Sequence, residues 1–168
     1  ADRFFDYAVC SHVLEDVRDP LWVCSEIRRV ARAGYIETPS RVVEQSKGVE
    51  HPCYAGYLHH RWLISADDGG LVFRPKPHSL HSLRGAVVAN LGALRKINPA
   101  LESFEFEWDG SFGFREILEF DEARTNLELR DFARRAKMTP QLTVSLDGTL
   151  IKRLHRIIYF SKLRIGLD

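Results

Sequence analysis

Within the first forty residues the chain reads as a strand, a helix and a second strand, and that order constrains the fold more than any other feature. Phe4 to Cys10 (FFDYAVC) is a mostly apolar run with aromatic and β-branched members, the pattern of a strand buried in a parallel sheet, with Asp6 as its one discordant residue. After the polar stretch from Ser11 to Asp19, the apolar residues Leu21, Val23, Cys24, Ile27, Val30 and Ala31 recur at helical spacing. Asp19 is suited to cap that helix, and Pro20 to occupy its first position, where a missing N–H costs nothing. Gly34 reads as the C-cap, Tyr35 to Thr38 as the second strand and Pro39 as its stop. Two strands joined by a crossover helix make a βαβ unit, which is parallel and right-handed in nearly all proteins. The expected class is therefore α/β.

Beyond Ser40 the signals change. Arg41 to Tyr57 is polar and broken by Gly48, Pro52 and Gly56, so it reads as a long loop, and long loops in compact domains are often functional. His60 to Ser65 and Leu71 to Arg74 flank a turn-rich linker suited to a β-hairpin. Ser79 to Ile97 reads as a helix stopped by Asn98-Pro99, with Leu80, Leu83, Val87, Leu91 and Leu94 on one face. Ser103 to Trp108 and Phe112 to Leu118 alternate about Asp109-Gly110, a second hairpin signal. Asp121 to Lys137 reads as a very polar helix, and the basic, apolar tail from Leu150 to Leu163 is compatible with strand or helix.

At 168 residues the chain fits one ordinary domain, and 45% apolar with 28% charged residues is the balance of a soluble globular protein. A net charge of +1 leaves no global footprint for nucleic acid or an anionic membrane. No apolar run is long enough to span a bilayer. The three cysteines, Cys10, Cys24 and Cys53, are odd in number and lack C-x-x-C spacing, which favours a reducing compartment, and the expected location is cytoplasmic.

The segment Phe5-Asp6-Tyr7-Ala8-Val9-Cys10-Ser11-His12-Val13-Leu14-Glu15-Asp16-Val17, followed by Asp19-Pro20, the basic turn ending at Gly34 and Ile36-Glu37-Thr38-Pro39, resembles class I S-adenosylmethionine-dependent methyltransferases (methyltransferase type 11-like) from their fourth strand onward. Asp16 departs from the histidine often found there, and the turn at Gly34 is shorter than the usual double glycine. The resemblance implies a partial Rossmann-like sheet, fourth strand onward, with added β-hairpins and helices. Residues 1–40 would be the C-terminal half of the methyltransferase core, and 41–168 the substrate-side loop, hairpins and remaining elements of the same domain. The family's glycine-rich cofactor loop has no counterpart, since no G-x-G occurs in the chain. Together with a start at Ala1 that runs straight into a strand, this leads us to expect a C-terminal fragment that binds S-adenosylmethionine poorly when alone.

By the same resemblance Ser11, His12 and Val13 would line the cofactor pocket, and the acceptor would be a small or polar molecule. Ligands of open α/β sheets sit beyond the carboxyl ends of the strands, which favours His12 and Glu37 for catalytic duty, with His12 as a proton acceptor or simply a loop histidine bonded to the backbone. Glu15 and Asp16 read as solvated charges before a helix. Tyr57, His59, His60, Arg61 and Trp62 form the densest candidate acceptor site: Arg61 suits a phosphate or carboxylate, and the aromatic rings suit stacking, although Trp62 equally suits the core. No metal site is assigned, because the histidines match no ligand motif and adjacent histidines on a strand face opposite ways. The rival classes are a non-catalytic binding module derived from this fold and a histidine-metal nuclease or hydrolase using His51, His59 and His60.

Overall fold

The structure is a computed structural model that describes residues 2–90 and 101–138. It is a mixed α/β fold, and its described residues contain two three-stranded mixed sheets, three α-helices and no closed barrel. The first sheet is built from β1 (Phe5–Ser11), β2 (Ala31–Pro39) and β5 (Ser103–Asp109), in the order β1-β2-β5. β1 runs parallel to β2, with Cys10 opposite Ile36 and Ser11 opposite Glu37, and β5 is antiparallel to β2. The crossover between β1 and β2 is α1 (Pro20–Val30), whose N-cap Asp19 accepts a hydrogen bond from the Trp22 N–H at 2.9 Å. The βαβ unit expected of the first forty residues is present, with Pro20 in the first turn.

Gly34 does not end that helix. α1 stops at Val30 and the chain enters β2 directly at Ala31, so Gly34 lies inside the strand opposite Ala8 and Trp108. A Cβ on Gly34 would meet the Ala8 carbonyl oxygen at 2.5 Å and the Trp108 Nε1 at 2.8 Å. The glycine is needed for close approach between neighbours, a role that a sequence reader cannot separate from a helix cap.

The second sheet has the order β3-β4-β6. β3 (Trp62–Asp67) and β4 (Gly70–Pro75) form the expected antiparallel hairpin around Asp68 and Gly69, while β6 (Phe114–Glu116) pairs with β4 in parallel. The expected hairpin about Asp109-Gly110 is therefore not formed: β5 joins one sheet and β6 the other. Alternation identified both strands, but it carries no information about which edge each one finds. The two sheets share a core of Cys10, Leu14, Cys24, Ala31, Ile36, Ile64, Leu71, Phe73, Trp108 and Phe112. Phe73 is fully buried there, which stabilises the fold by about 1.5–3 kcal/mol.

The segment after β2 is not an open loop throughout. Ser40 caps a single helical turn, α2 (Arg41–Glu44), and Arg41, Val43, Glu44, Gln45 and Ser46 are all buried. Gln45 accepts from Arg41 Nε and donates to the carbonyls of Ala86 and Leu129, which satisfies its amide in the interior. The helix expected over Ser79 to Ile97 is replaced, within the described residues, by a short 3-10 turn at His78–His81 and irregular chain to Asn90; positions 91–97 and Asn98-Pro99 lie outside those residues, as does the basic tail. Leu80 is still buried, against Leu63 and Leu129, so the apolar spacing there marks core contacts but not a helix. The polar helix near the end is α3 (Glu122–Lys137), capped by Asp121 and held to α2 by the paired hydrogen bonds of Arg41 to Glu128.

Candidate functional site

The carboxyl ends of β1 and β2 lie side by side, and this edge gathers the first group of polar side chains. The His12 N–H donates to the Glu37 carbonyl at 2.9 Å, and His12 itself has φ of 52°, the left-handed region that a non-glycine residue adopts only when its surroundings hold it there. Its ring lies between two carboxylates, with Nδ1 3.2 Å from Glu15 Oε1 and Nε2 3.7 Å from Glu37 Oε1. Glu37 accepts hydrogen bonds from Ser103 Oγ at 2.9 Å and Ser11 Oγ at 3.2 Å. The Ser103 hydroxyl chiefly, with help from Ser11 and the His12 ring, holds the Glu37 carboxyl below its usual 4.5.

Glu15 departs from the expected solvated charge. It is 2% exposed, its Oε2 has no hydrogen-bond partner, and burial pushes its carboxyl above the usual 4.5. Leu14 and Glu15 turn inward because the loop after β1 folds back on itself, with the Asp16 and Val17 N–H groups donating to the Val13 carbonyl. Asp16, by contrast, stays exposed.

Next to this edge lies a cleft of about 550 Å³ lined by His12, Pro39, Val43, Glu50, Tyr57 and Ser103, among others. Behind Tyr57 is a buried charged cluster. Glu44 Oε1 is 2.6 Å from His60 Nδ1 and Glu44 Oε2 accepts from Lys76 Nζ at 2.5 Å; the three side chains are 2%, 6% and 3% exposed. Lys76 also donates to the Tyr57 carbonyl at 2.7 Å. Gly56, at φ of 60°, passes directly over the Glu44 carboxylate, where any side chain would collide with it. The Tyr57 ring stacks on His60 at 4.5 Å, and burial, followed by Glu44, pushes its hydroxyl above 10.

Of the candidate acceptor residues, Tyr57, His59 and His60 come together and Arg61 and Trp62 part from them. His59 and His60 precede β3 and lie in a bend, with ring centroids 4.4 Å apart. The opposite-face rule for a strand does not apply to them, and both approach Asp16 at 3.8 Å. His51 packs on Tyr54 and lies outside the group of ligand atoms that Asp16, His59 and His60 bring within 4.8 Å of one another. Arg61 is exposed, and Trp62 packs against Phe73 and donates its indole N–H to the Val17 carbonyl, so its ring serves the core. Ser11 and Val13 are exposed at the strand edge beside His12. Glu44 and Lys76 had no signal in the sequence, because their partners lie 16 and 32 residues from Glu44 and nothing periodic links them.

A larger cleft, of about 640 Å³, lies between Arg74, Pro77, Phe120 and α3, away from these groups. Compared with known proteins, the chain matches no family model, no curated protein and no solved structure. Among the described residues, no helix is long and apolar enough to cross a membrane.

Proposed function

We propose that this chain is the acceptor-side part of a class I S-adenosylmethionine-dependent methyltransferase with a partial Rossmann-like sheet, acting on a small or polar acceptor. The observation that carries the reading is the convergence of Ser11, His12 and Glu37 at the carboxyl ends of two parallel strands, beside the cleft lined by His12 and Tyr57. Ligands of open α/β sheets bind at that edge, and an otherwise parallel sheet with one antiparallel edge strand is common among doubly wound folds. The face of β1 opposite its core side leaves Phe5, Tyr7 and Val9 exposed, whereas sheets of this class are covered on both faces. In this reading the strands that carry the glycine-rich loop, and their helices, add at β1.

The residues at hand fit one wall of the cofactor site: Ser11 offers a hydroxyl, Val13 an apolar surface and His12 a ring. S-adenosylmethionine, when bound, supplies an electrophilic methyl group on a sulfonium. Tyr57 and the rest of the cleft position the acceptor, which is the main requirement of an in-line displacement. His12 accepts the acceptor's proton at Nε2, which faces the Glu37 carboxylate at 3.7 Å.

Isothermal titration with S-adenosylmethionine and its demethylated product tests this. Weak binding is expected for the chain alone, with amide shift changes in an NMR titration centred on Ser11 to Val13. Tight binding by the chain alone would overturn the fragment part of the reading, and a longer chain with a glycine-rich loop that ignored the cofactor would overturn all of it. A second reading, a non-catalytic binding module, is favoured by one observation: Glu37 is already occupied by two hydroxyl donors. If that reading holds, substituting His12 and Glu37 leaves ligand binding intact.

A further inference from the structure

We infer that Asp16, His59 and His60 form a binding site for a divalent d-block cation, of which Zn2+ is the reference case. One ligand atom from each of these residues lies within 4.8 Å of the others. Both imidazoles direct Nε2 at Asp16 and Nδ1 at a glutamate. His60 turns Nδ1 to Glu44 at 2.6 Å and Nε2 to Asp16 Oδ1 at 3.8 Å; His59 turns Nδ1 to Glu50 at 3.9 Å and Nε2 to the same Asp16 oxygen at 3.8 Å.

The Glu44 contact fixes the His60 tautomer. With Nδ1–H donated to a buried carboxylate, Nε2 carries a lone pair directed at the Asp16 side, the carboxylate-histidine arrangement that supports metal-binding imidazoles. Lys76 occupies the other oxygen of Glu44, so that carboxylate is held in place and is not free to act as a ligand.

Distances decide between a hydrogen-bonded cluster and a metal site. At 3.8 Å the two Nε2 atoms are too far from Asp16 to hydrogen-bond to it. Donors about 2.1 Å from a shared ion are about 3.4 Å apart at the tetrahedral angle and at most about 4.2 Å apart. The 3.8 Å separations exceed the tetrahedral spacing by about 0.4 Å, and the group's 4.8 Å limit sets the largest closure needed for that geometry at about 1.4 Å. His59 and Asp16 can supply it, since their side chains are 59% and 43% exposed while His60 is anchored.

The ligand set chooses the ion. Two imidazoles with one carboxylate and no thiolate suit Zn2+, Co2+ or Ni2+ better than the oxygen-seeking Mg2+ or Ca2+. Three protein ligands leave at least one position open for water or an oxygen donor. Tyr57, which packs on His60 and meets His59 edge to face, and Glu50, which reaches His59, also line the cleft beside His12, so the ion sits at the cleft wall. This inference does not depend on the methyl-transfer reading.

Titration of the metal-free protein with Zn2+, Co2+ and Mg2+ by calorimetry tests it, with Co2+ absorption as a second readout. One Zn2+ per chain is expected, with Co2+ binding and Mg2+ not competing. Asp16→Ala and His59→Ala, both at exposed side chains, should each weaken Zn2+ binding more than tenfold without loss of fold by circular dichroism. Glu44→Gln should weaken it by about 10- to 100-fold through the misoriented His60 ring. Absence of Zn2+ binding at millimolar concentration overturns the inference. So does Zn2+ binding of undiminished affinity in the Asp16→Ala and His59→Ala proteins.

Discussion

The pair formed by Lys76 and Glu44 gives the sharpest test of how this interior is held together. Both side chains are almost fully removed from solvent, at 3% and 2% exposure, and their 2.5 Å contact is one of two hydrogen bonds that Lys76 Nζ makes among the described residues, the other being to the Tyr57 carbonyl. Removing two charges from water costs several kcal/mol per ion, and their mutual attraction offsets that only while both partners are present. Lys76→Met keeps the length of the stem but leaves the Glu44 charge buried with His60 alone. The expected loss is about 3–5 kcal/mol, a large fraction of the 5–15 kcal/mol typical of a domain. Glu44→Gln should cost a similar amount by stranding the ammonium. The double variant should lose less than the sum, with a coupling of about 0.5–3 kcal/mol. Urea unfolding followed by tryptophan fluorescence measures all three. A Lys76→Met loss below about 1 kcal/mol, together with additivity in the double variant, would refute the account and mean that the ammonium reaches water in solution.

Three further outcomes follow from single sites. Burial chiefly, with the neighbouring Asp16 charge adding to it, raises the Glu15 carboxyl above 4.5, so between 4.5 and that higher value the native state holds a proton that the unfolded chain has released. Stability should therefore fall as pH rises through that window, and Glu15→Gln should flatten this part of a plot of Tm against pH; an unchanged slope would count against the burial of Glu15. Gly34→Val places methyl groups against the Ala8 carbonyl and the Trp108 ring, with an expected loss of about 1–3 kcal/mol or more by chemical denaturation, and a neutral result would mean that β1, β2 and β5 do not approach as described. Cys53 is exposed, whereas burial pushes the Cys10 thiol up to about 11 and the Cys24 thiol up to about 12, so a disulfide reagent at pH 8 should titrate one thiol rapidly and two only on unfolding. Three fast thiols would show that the core around α1 is open.

What could be read from the sequence, and what could not, divides along a physical line. Local rules found the Asp19 cap, the Pro20 start, the C-terminal part of the strand that holds Tyr35 and the hairpin around Asp68 and Gly69, because each is decided by residues within a few positions of one another. Strand partnership was out of reach: Phe112 to Leu118 has the alternation of a strand, but whether Phe114 pairs beside Trp108 or beside Leu71 depends on shapes formed by residues distant in the chain. The site divides in the same way. That His12 and Glu37 lie side by side was legible, because they sit near the carboxyl ends of adjacent parallel strands and topology alone brings such ends together. Glu44 and Lys76 were not, since buried charges look like surface charges until their partners are known. They also explain why the long loop after β2 opens on a buried helical turn: its polar residues satisfy one another inside the fold, where Arg41 meets Glu128, Gln45 meets Ala86 and Leu129, and Glu44 meets His60 and Lys76. A polar segment with internal partners can be buried at little cost, and each partner it engages reduces its freedom to move. That rigidity reaches the cleft through Tyr57, whose carbonyl accepts from Lys76 and whose ring packs on the Glu44-bound His60, a charge-based support that composition and periodicity could not reveal.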